Sequence, residues 1–174
     1  IGETSMGVAI TTGNMNVGIG KSAGEDIAAG CANIMIGCGA GKQTSSGQNN
    51  VALGHTAYEG ATTGCFNIAL GYAAFGGAVA TGDNNIAIGQ HTLKVNVTGV
   101  NNIAIGQDAL CATTCGSENT AVGRRALELS NAVSNHNSAF GVDAGGNVTT
   151  GDRNAFLGRE AGANSDVNTT TQSD

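Results

Sequence analysis

Apolar and polar positions along the chain fall into short, recurring segments. The pattern Asn–x–x–apolar–Gly occurs nine times, at residues 16–20, 33–37, 50–54, 67–71, 85–89, 102–106, 119–123, 137–141 and 154–158. Successive Asn positions are 17, 17, 17, 18, 17, 17, 18 and 17 residues apart. Within each segment the apolar residues alternate with period two and end on Gly, which predicts a short strand followed by a turn. Ile1 and Gly2 stand 18 residues before Ile19 and Gly20 and read as the tail of a tenth copy. More repeats are therefore expected before Ile1, or end-to-end stacking of copies.

Other columns keep the same frame. Gly stands three residues before eight of the nine Asn, with Ser134 the exception. Ala stands three residues after eight of the nine motif Gly, with Thr92 the exception. A 17-residue unit is too short for a helical hairpin or a propeller blade. One unit per coil of a parallel β-solenoid fits. Coils stacked about 4.8 Å apart make an all-β rod on the order of 45 Å long, of about nine to ten 17–18-residue coils. Residues 1–162 form the repeat region, and the polar stretch 163–174 lacks a further motif and is expected to cap the rod or to fray.

In such a stack every column becomes a ladder. The position after each Asn carries Val17, Ile34, Val51, Ile68, Ile86 and Ile103, then Thr120, Ser138 and Ala155. Two residues on come Ile19, Ile36, Leu53, Leu70, Ile88, Ile105, Val122, Phe140 and Leu157. These two columns share a strand face and are expected to fill the coil interior. The residue between them faces the other way and is mostly Ala (Ala52, Ala69, Ala87, Ala104, Ala121 and Ala139). A small apolar column on an outer face suggests close packing, so these alanines are expected to meet a second copy of the chain. The Asn column (Asn16, Asn33, Asn50, Asn67, Asn85, Asn102, Asn119, Asn137 and Asn154) is expected to form a ladder of stacked amides. The motif glycines (Gly20, Gly37, Gly54, Gly71, Gly89, Gly106, Gly123, Gly141 and Gly158) suit turns with positive φ or close coil-to-coil approach.

Composition supports a repeat and excludes other classes. The 174 residues include 29 Gly and no Pro, with 11% charged and 3% aromatic residues, against about 7% Gly and about 25% charged in an average chain. Disorder usually goes with high charge and plentiful Pro, and collagen needs Gly at every third position plus Pro, neither of which is here. No apolar run approaches the roughly 20 residues of a membrane span. A net charge of −6 argues against a nucleic-acid surface, which would need a basic stripe. No charge falls inside any of the nine motifs, so charge is confined to the connecting arcs.

Catalytic patterns are not found. The run 37–43 has a phosphate-loop look, but its glycine spacing is one short and Gln43 replaces the Ser or Thr that would hold Mg²⁺. His55, His91 and His136 occupy three different columns, and Asp83 and Asp152 share one four coils apart. No metal site, cofactor or nucleophile–base pair is expected. Cys31 and Cys65 lie two coils apart, beyond disulfide reach, and Cys111 and Cys115 share an arc. Unpaired thiols favour assembly in a reducing cytoplasm. Asn96, Asn147 and Asn168 fit the glycosylation triplet within Thr-rich arcs or the tail and are attributed to coincidence. A Thr/Ser column before the arc Gly (Thr12, Ser46, Thr63, Thr81, Thr98, Thr150) keeps an ice-binding solenoid only as a remote alternative, because the neighbouring column is mixed.

The run 101–110, Asn-Asn-Ile-Ala-Ile-Gly-Gln-Asp-Ala-Leu, and its copies resemble the head repeats of trimeric autotransporter adhesins. The longer unit, with Ala-Leu and Thr-Thr-Gly arcs, is similar to repeat regions of bacteriophage tail-fibre proteins. The resemblance covers residues 1–162. It implies a left-handed β-roll in a homotrimeric fibre and a non-catalytic role in attachment to a cell-surface receptor such as a glycan or outer-membrane component. The expected setting is a virion tail fibre assembled in the host cytoplasm. A bacterial surface adhesin or a self-stacking extracellular filament is the alternative, and a hexapeptide-type acyltransferase the weaker enzyme one.

Overall fold

The computed structural model describes residues 13–77, 79–130 and 134–163. Each Asn–x–x–apolar–Gly motif forms one three-residue strand: β1 (Val17–Ile19), β2 (Ile34–Ile36), β3 (Val51–Leu53), β4 (Ile68–Leu70), β5 (Ile86–Ile88), β6 (Ile103–Ile105), β7 (Thr120–Val122), β8 (Ser138–Phe140) and β9 (Ala155–Leu157). They pair in sequence order as a single parallel sheet. The chain thus winds through eight arcs as a β-solenoid. Register is one-to-one throughout, for example Ala52 with Ala69 and Ile103 with Thr120. The 18-residue steps change nothing in the ladder, because Ile68 still pairs with Ile86 and Thr120 with Ser138. Their extra residue is absorbed in the arc.

Hydrogen bonding continues around the arcs. Gly24 N–H donates to Ala40 O of the next coil at 2.9 Å, and Gly39 N–H to Lys21 O of the previous one at 2.8 Å. Tight bends between these bonds come from left-handed residues at three positions per coil. One precedes the motif Asn (Asn101, φ 58°), and the others lie two and four residues after the motif Gly (Asp108, φ 57°; Leu110, φ 49°). Left-handed backbone costs an ordinary residue about 1–2 kcal/mol. Stacking recovers that cost, since each bend's N–H groups find partners in the neighbouring coil.

The two faces of the sheet are the reverse of the expectation. Ala52, Ala69, Ala87, Ala104, Ala121 and Ala139 are fully buried inside their own coil, so this column is not the surface that meets another subunit. The columns assigned to the interior point outward, with Val17, Ile19, Ile34, Leu53, Ile105, Phe140 and Leu157 all exposed. The cause is space. Three-residue strands closed by left-handed bends leave a thin lumen, in which a methyl group lies opposite one large side chain.

That large side chain comes from the fourth position after the motif Gly. Tyr58, Phe75, Leu93, Leu110 and Leu127 occupy it, all buried and all at positive φ. Where the strand instead supplies the bulk, this position is Gly. A Cβ on Gly41 would run into Met35, and one on Gly145 or Gly162 into Phe156. In seven of the nine coils the lumen thus holds one large residue, delivered from either side, whereas the first and eighth, with Gly18 and Gly24 or Ala139 and Gly145 at these two positions, bury Ile27 or Val148 from the arc instead. Interiors this tight tolerate neither voids nor excess volume. Ala104→Met should cost about 1–3 kcal/mol and Leu110→Gly about 2–5 kcal/mol. The double variant, which copies the Met35–Gly41 arrangement, should lose clearly less than the sum in urea unfolding, and strict additivity would refute the shared-lumen account.

Candidate functional site

The motif asparagines form a continuous internal ladder. Asn102 Nδ2 donates to Gly116 O at 2.8 Å and to Asn85 Oδ1 at 3.0 Å. Its own Oδ1 accepts the backbone N–H of Asn119 at 3.0 Å and the Asn119 Nδ2 at 3.2 Å. The same bonds run from Asn16 through Asn33 to Asn50. From Asn33 to Asn137 every rung is buried. At Asn67 the pattern is altered: Nδ2 donates to the buried Tyr58 hydroxyl at 2.7 Å, which itself donates to Gly64 O at 3.0 Å. Burial pushes the Tyr58 hydroxyl pKa far up, with the Asn67 bond pulling the other way.

The motif glycines stand at the coil corner with φ between 114° and 139°. All but Gly158 also approach the next coil's corner closely. A Cβ on Gly106 would lie 2.7 Å from the Gly123 carbonyl oxygen. The arc glycines that accept the Asn amides are equally crowded, with a Cβ on Gly30 2.5 Å from Gly47 O. Asn and Gly thus hold one corner together, side-chain amide to backbone carbonyl.

A second ladder runs along the following column. Asp83 Oδ1 accepts the Cys65 N–H at 2.7 Å, Ser117 Oγ the Val100 N–H at 3.1 Å, Asn135 Oδ1 the Ser117 N–H at 2.9 Å and Asp152 Oδ1 the Asn135 N–H at 2.7 Å. Asp83 and Asp152 are therefore engaged in backbone bonding, four coils apart.

Three features of the outer surface bear on function among the described residues. The first is the aliphatic lane of the sheet, two columns wide and uncharged from β1 to β9. The second is a ring stack that sequence columns alone did not reveal. His55 lies flat on Tyr72 at 5.5 Å with a 7° interplanar angle, and Tyr72 meets His91 at 5.4 Å with a 59° tilt. His55 and Tyr72 share the offset next to the motif Gly in successive coils, a signal readable in the repeat frame. Only the His55–Tyr72 pair is face to face, and Tyr72 remains half exposed. The third is a shallow groove of about 270 Å³ lined by Arg125, Glu128, Asp143, Asn147 and Glu160 among others. Its charges are largely satisfied: Arg125 Nε lies 2.7 Å from Asp143 Oδ1 and Arg124 3.4 Å from Oδ2. Burial raises the Glu128 carboxyl pKa there.

His136 pairs with Glu118 at 3.2 Å and His91 with Asp108 at 3.5 Å. No group of three or more His, Cys, Asp or Glu with metal-holding geometry occurs among the described residues. All five cysteines are free thiols, and burial raises the pKa of Cys111. In the phosphate-loop-like run 37–43, Gly37, Gly39 and Gly41 serve coil bends, and Lys42 lies 3.8 Å from Glu25. Among the described residues no helix is long and apolar enough to cross a membrane. Asn168, the Ile1-Gly2 fragment and the tail beyond Ala163 lie outside the described residues.

Fold and ladders together define a β-solenoid repeat protein. Comparison with protein-family models, with curated proteins and with solved structures finds no match to this chain.

Proposed function

We propose that this chain is a stretch of a non-catalytic fibre that attaches a particle to a cell surface, as part of a phage tail fibre or similar virion appendage. In this reading the coil winds left-handed and three copies assemble into one shaft. The observation that carries it is the aliphatic lane. A single chain leaves Val17, Ile19, Ile34, Leu53 and Ile105 more than a third exposed on one face of the sheet. Isolated exposed apolar residues are ordinary, whereas contiguous patches mark interaction surfaces.

Five free thiols favour a cytoplasmically assembled virion part over a secreted adhesin, because oxidising compartments tend to pair such cysteines. Attachment would be multivalent, with weak contacts from repeated arcs adding along a stiff rod. A receptor at a cell surface, a glycan or an outer-membrane component, is the partner this reading requires. The ring stack and the polar groove lie on the outside and are free to contribute contacts.

Light scattering on the purified chain should return three times the 17.1 kDa chain mass. Electron micrographs of the native particle should place the rod on a tail. A monomeric mass would refute the assembly, and a location away from any virion would refute the fibre.

A further inference from the structure

We infer that the lumen of the fifth to seventh coils binds a file of water molecules, held by Asn96, Thr113 and Ser130. These residues stand seven positions after the motif Gly in successive coils, in a column that also holds Ile27, Thr44, Ala61 and Val148. All seven are buried. The same turn places each of the three: its N–H donates to the carbonyl three residues back, at 3.1 Å for Asn96, 3.3 Å for Thr113 and 3.2 Å for Ser130.

Unpaired polar atoms are the first argument. Neither the oxygen nor the nitrogen of the Asn96 amide has a partner among the described residues, and Ser130 Oγ has none either. Thr113 Oγ1 donates to Ser130 O at 3.2 Å, which leaves its lone pairs to accept. Buried groups without a partner are costly, and ordered water is what satisfies them where protein does not.

Spacing is the second argument. Coils rise by about 4.8 Å, so like atoms in neighbouring coils are too far apart for a direct bond. One water making two bonds of about 2.8 Å spans that gap at an ordinary hydrogen-bond angle. Room is the third. The three lumens are otherwise lined alike, by Ala87 with Leu93, Ala104 with Leu110 and Ala121 with Leu127, all buried. That space accepts the four side-chain heavy atoms of Asn96, yet Thr113 brings three and Ser130 two. A water is one heavy atom, so it fits at both. Val148, apolar and buried in the eighth coil, ends the file.

Thr44 is the contrast within the same chain. Its Oγ1 is also buried and unpartnered, but its column neighbours are Ile27 and Ala61. They supply no second polar group, and a buried water needs at least two partners. Water thus provides the rungs of a further ladder, which links three coils from the inside as the asparagine amides do directly.

Oxygen-17 magnetic relaxation dispersion counts the waters held for longer than the protein tumbles. Ser130→Ala and Asn96→Leu should each hold fewer of them than the wild type, and Thr44→Val the same number. Ser130→Ala removes a single atom and so guards against misfolding by the larger change. Urea unfolding gives a second readout. Ser130→Ala should lower the midpoint, because a bound water loses a partner, whereas Thr44→Val removes an unpaired hydroxyl at constant shape and should raise it. An unchanged count in both file variants would overturn the inference, as would a raised midpoint for Ser130→Ala. A loss of water in Thr44→Val equal to theirs would overturn the bridging argument.

Discussion

Gly106→Ala is expected to abolish cooperative folding or to lower stability by about 4 kcal/mol or more. Two costs coincide there. The backbone stands at φ 120°, where an L side chain is strained by about 1–3 kcal/mol. The added methyl would also lie 2.7 Å from both the carbonyl carbon and oxygen of Gly123 and 3.0 Å from Arg124 N. Those are backbone atoms, which cannot rotate away, so adjacent coils must separate and their hydrogen bonds lengthen. Gly158 supplies the comparison, because its φ is 114° but a Cβ there meets nothing within 4 Å. Gly158→Ala should therefore show the strain alone. Equal losses for the two variants, measured by urea unfolding, would contradict the crowding argument.

Asn102→Leu is expected to be nearly as severe, at about 3–5 kcal/mol. Leucine is similar in size, so the lumen stays filled and the loss is one of hydrogen bonds. Gly116 O, Asn85 Oδ1 and the Asn119 N–H would each lose a bond to Asn102. A buried polar group left unpaired costs about 1–3 kcal/mol, and several fail together in a ladder. Asn102→Asp separates donor from acceptor. It keeps an oxygen for the Asn119 N–H but turns a second oxygen toward the Gly116 carbonyl. Its penalty should be largest near neutral pH and should ease on acidification, as a protonated carboxyl regains a donor. A penalty that grows as pH falls would contradict this assignment of the amide.

Strand positions were legible from the sequence because each motif carries its own boundaries. The apolar triplet is bracketed by an Asn whose side chain is committed to the next coil and a Gly that only a corner accepts. The face of the strand was not legible, because both faces are apolar and polarity alternation does not discriminate between them. Size decides. Ala104 fits opposite Leu110, whereas Ile103 and Ile105 do not fit the lumen together. The bulky filler of five coils, such as Tyr58 or Leu110, escapes a period-two pattern because it sits in a left-handed bend rather than in a strand. A clue was present in compensation between columns: Met35 and Phe156 occur where the fourth residue after the motif Gly is Gly41 or Gly162. The ring stack of His55, Tyr72 and His91 was missed for a related reason. His91 stands one position further from its motif Gly than Tyr72 does, and a side chain bridges that offset where a column count does not.

The even spacing of coils also bears on how such a rod is made. Contacts between coils join residues about one repeat apart, as in the bonds from Asn33 to Asn16, 17 positions, and from Asn137 to Asn119, 18 positions. Divided by 174 residues, that separation gives a relative contact order of about 0.1, in the range of helical bundles rather than of β-sandwiches. Parallel sheets ordinarily fold slowly because distant segments must find one another. Here each new coil finds its template immediately behind it, so the loop to be closed is the same at every step. Lengthening the shaft adds steps without making any single step slower.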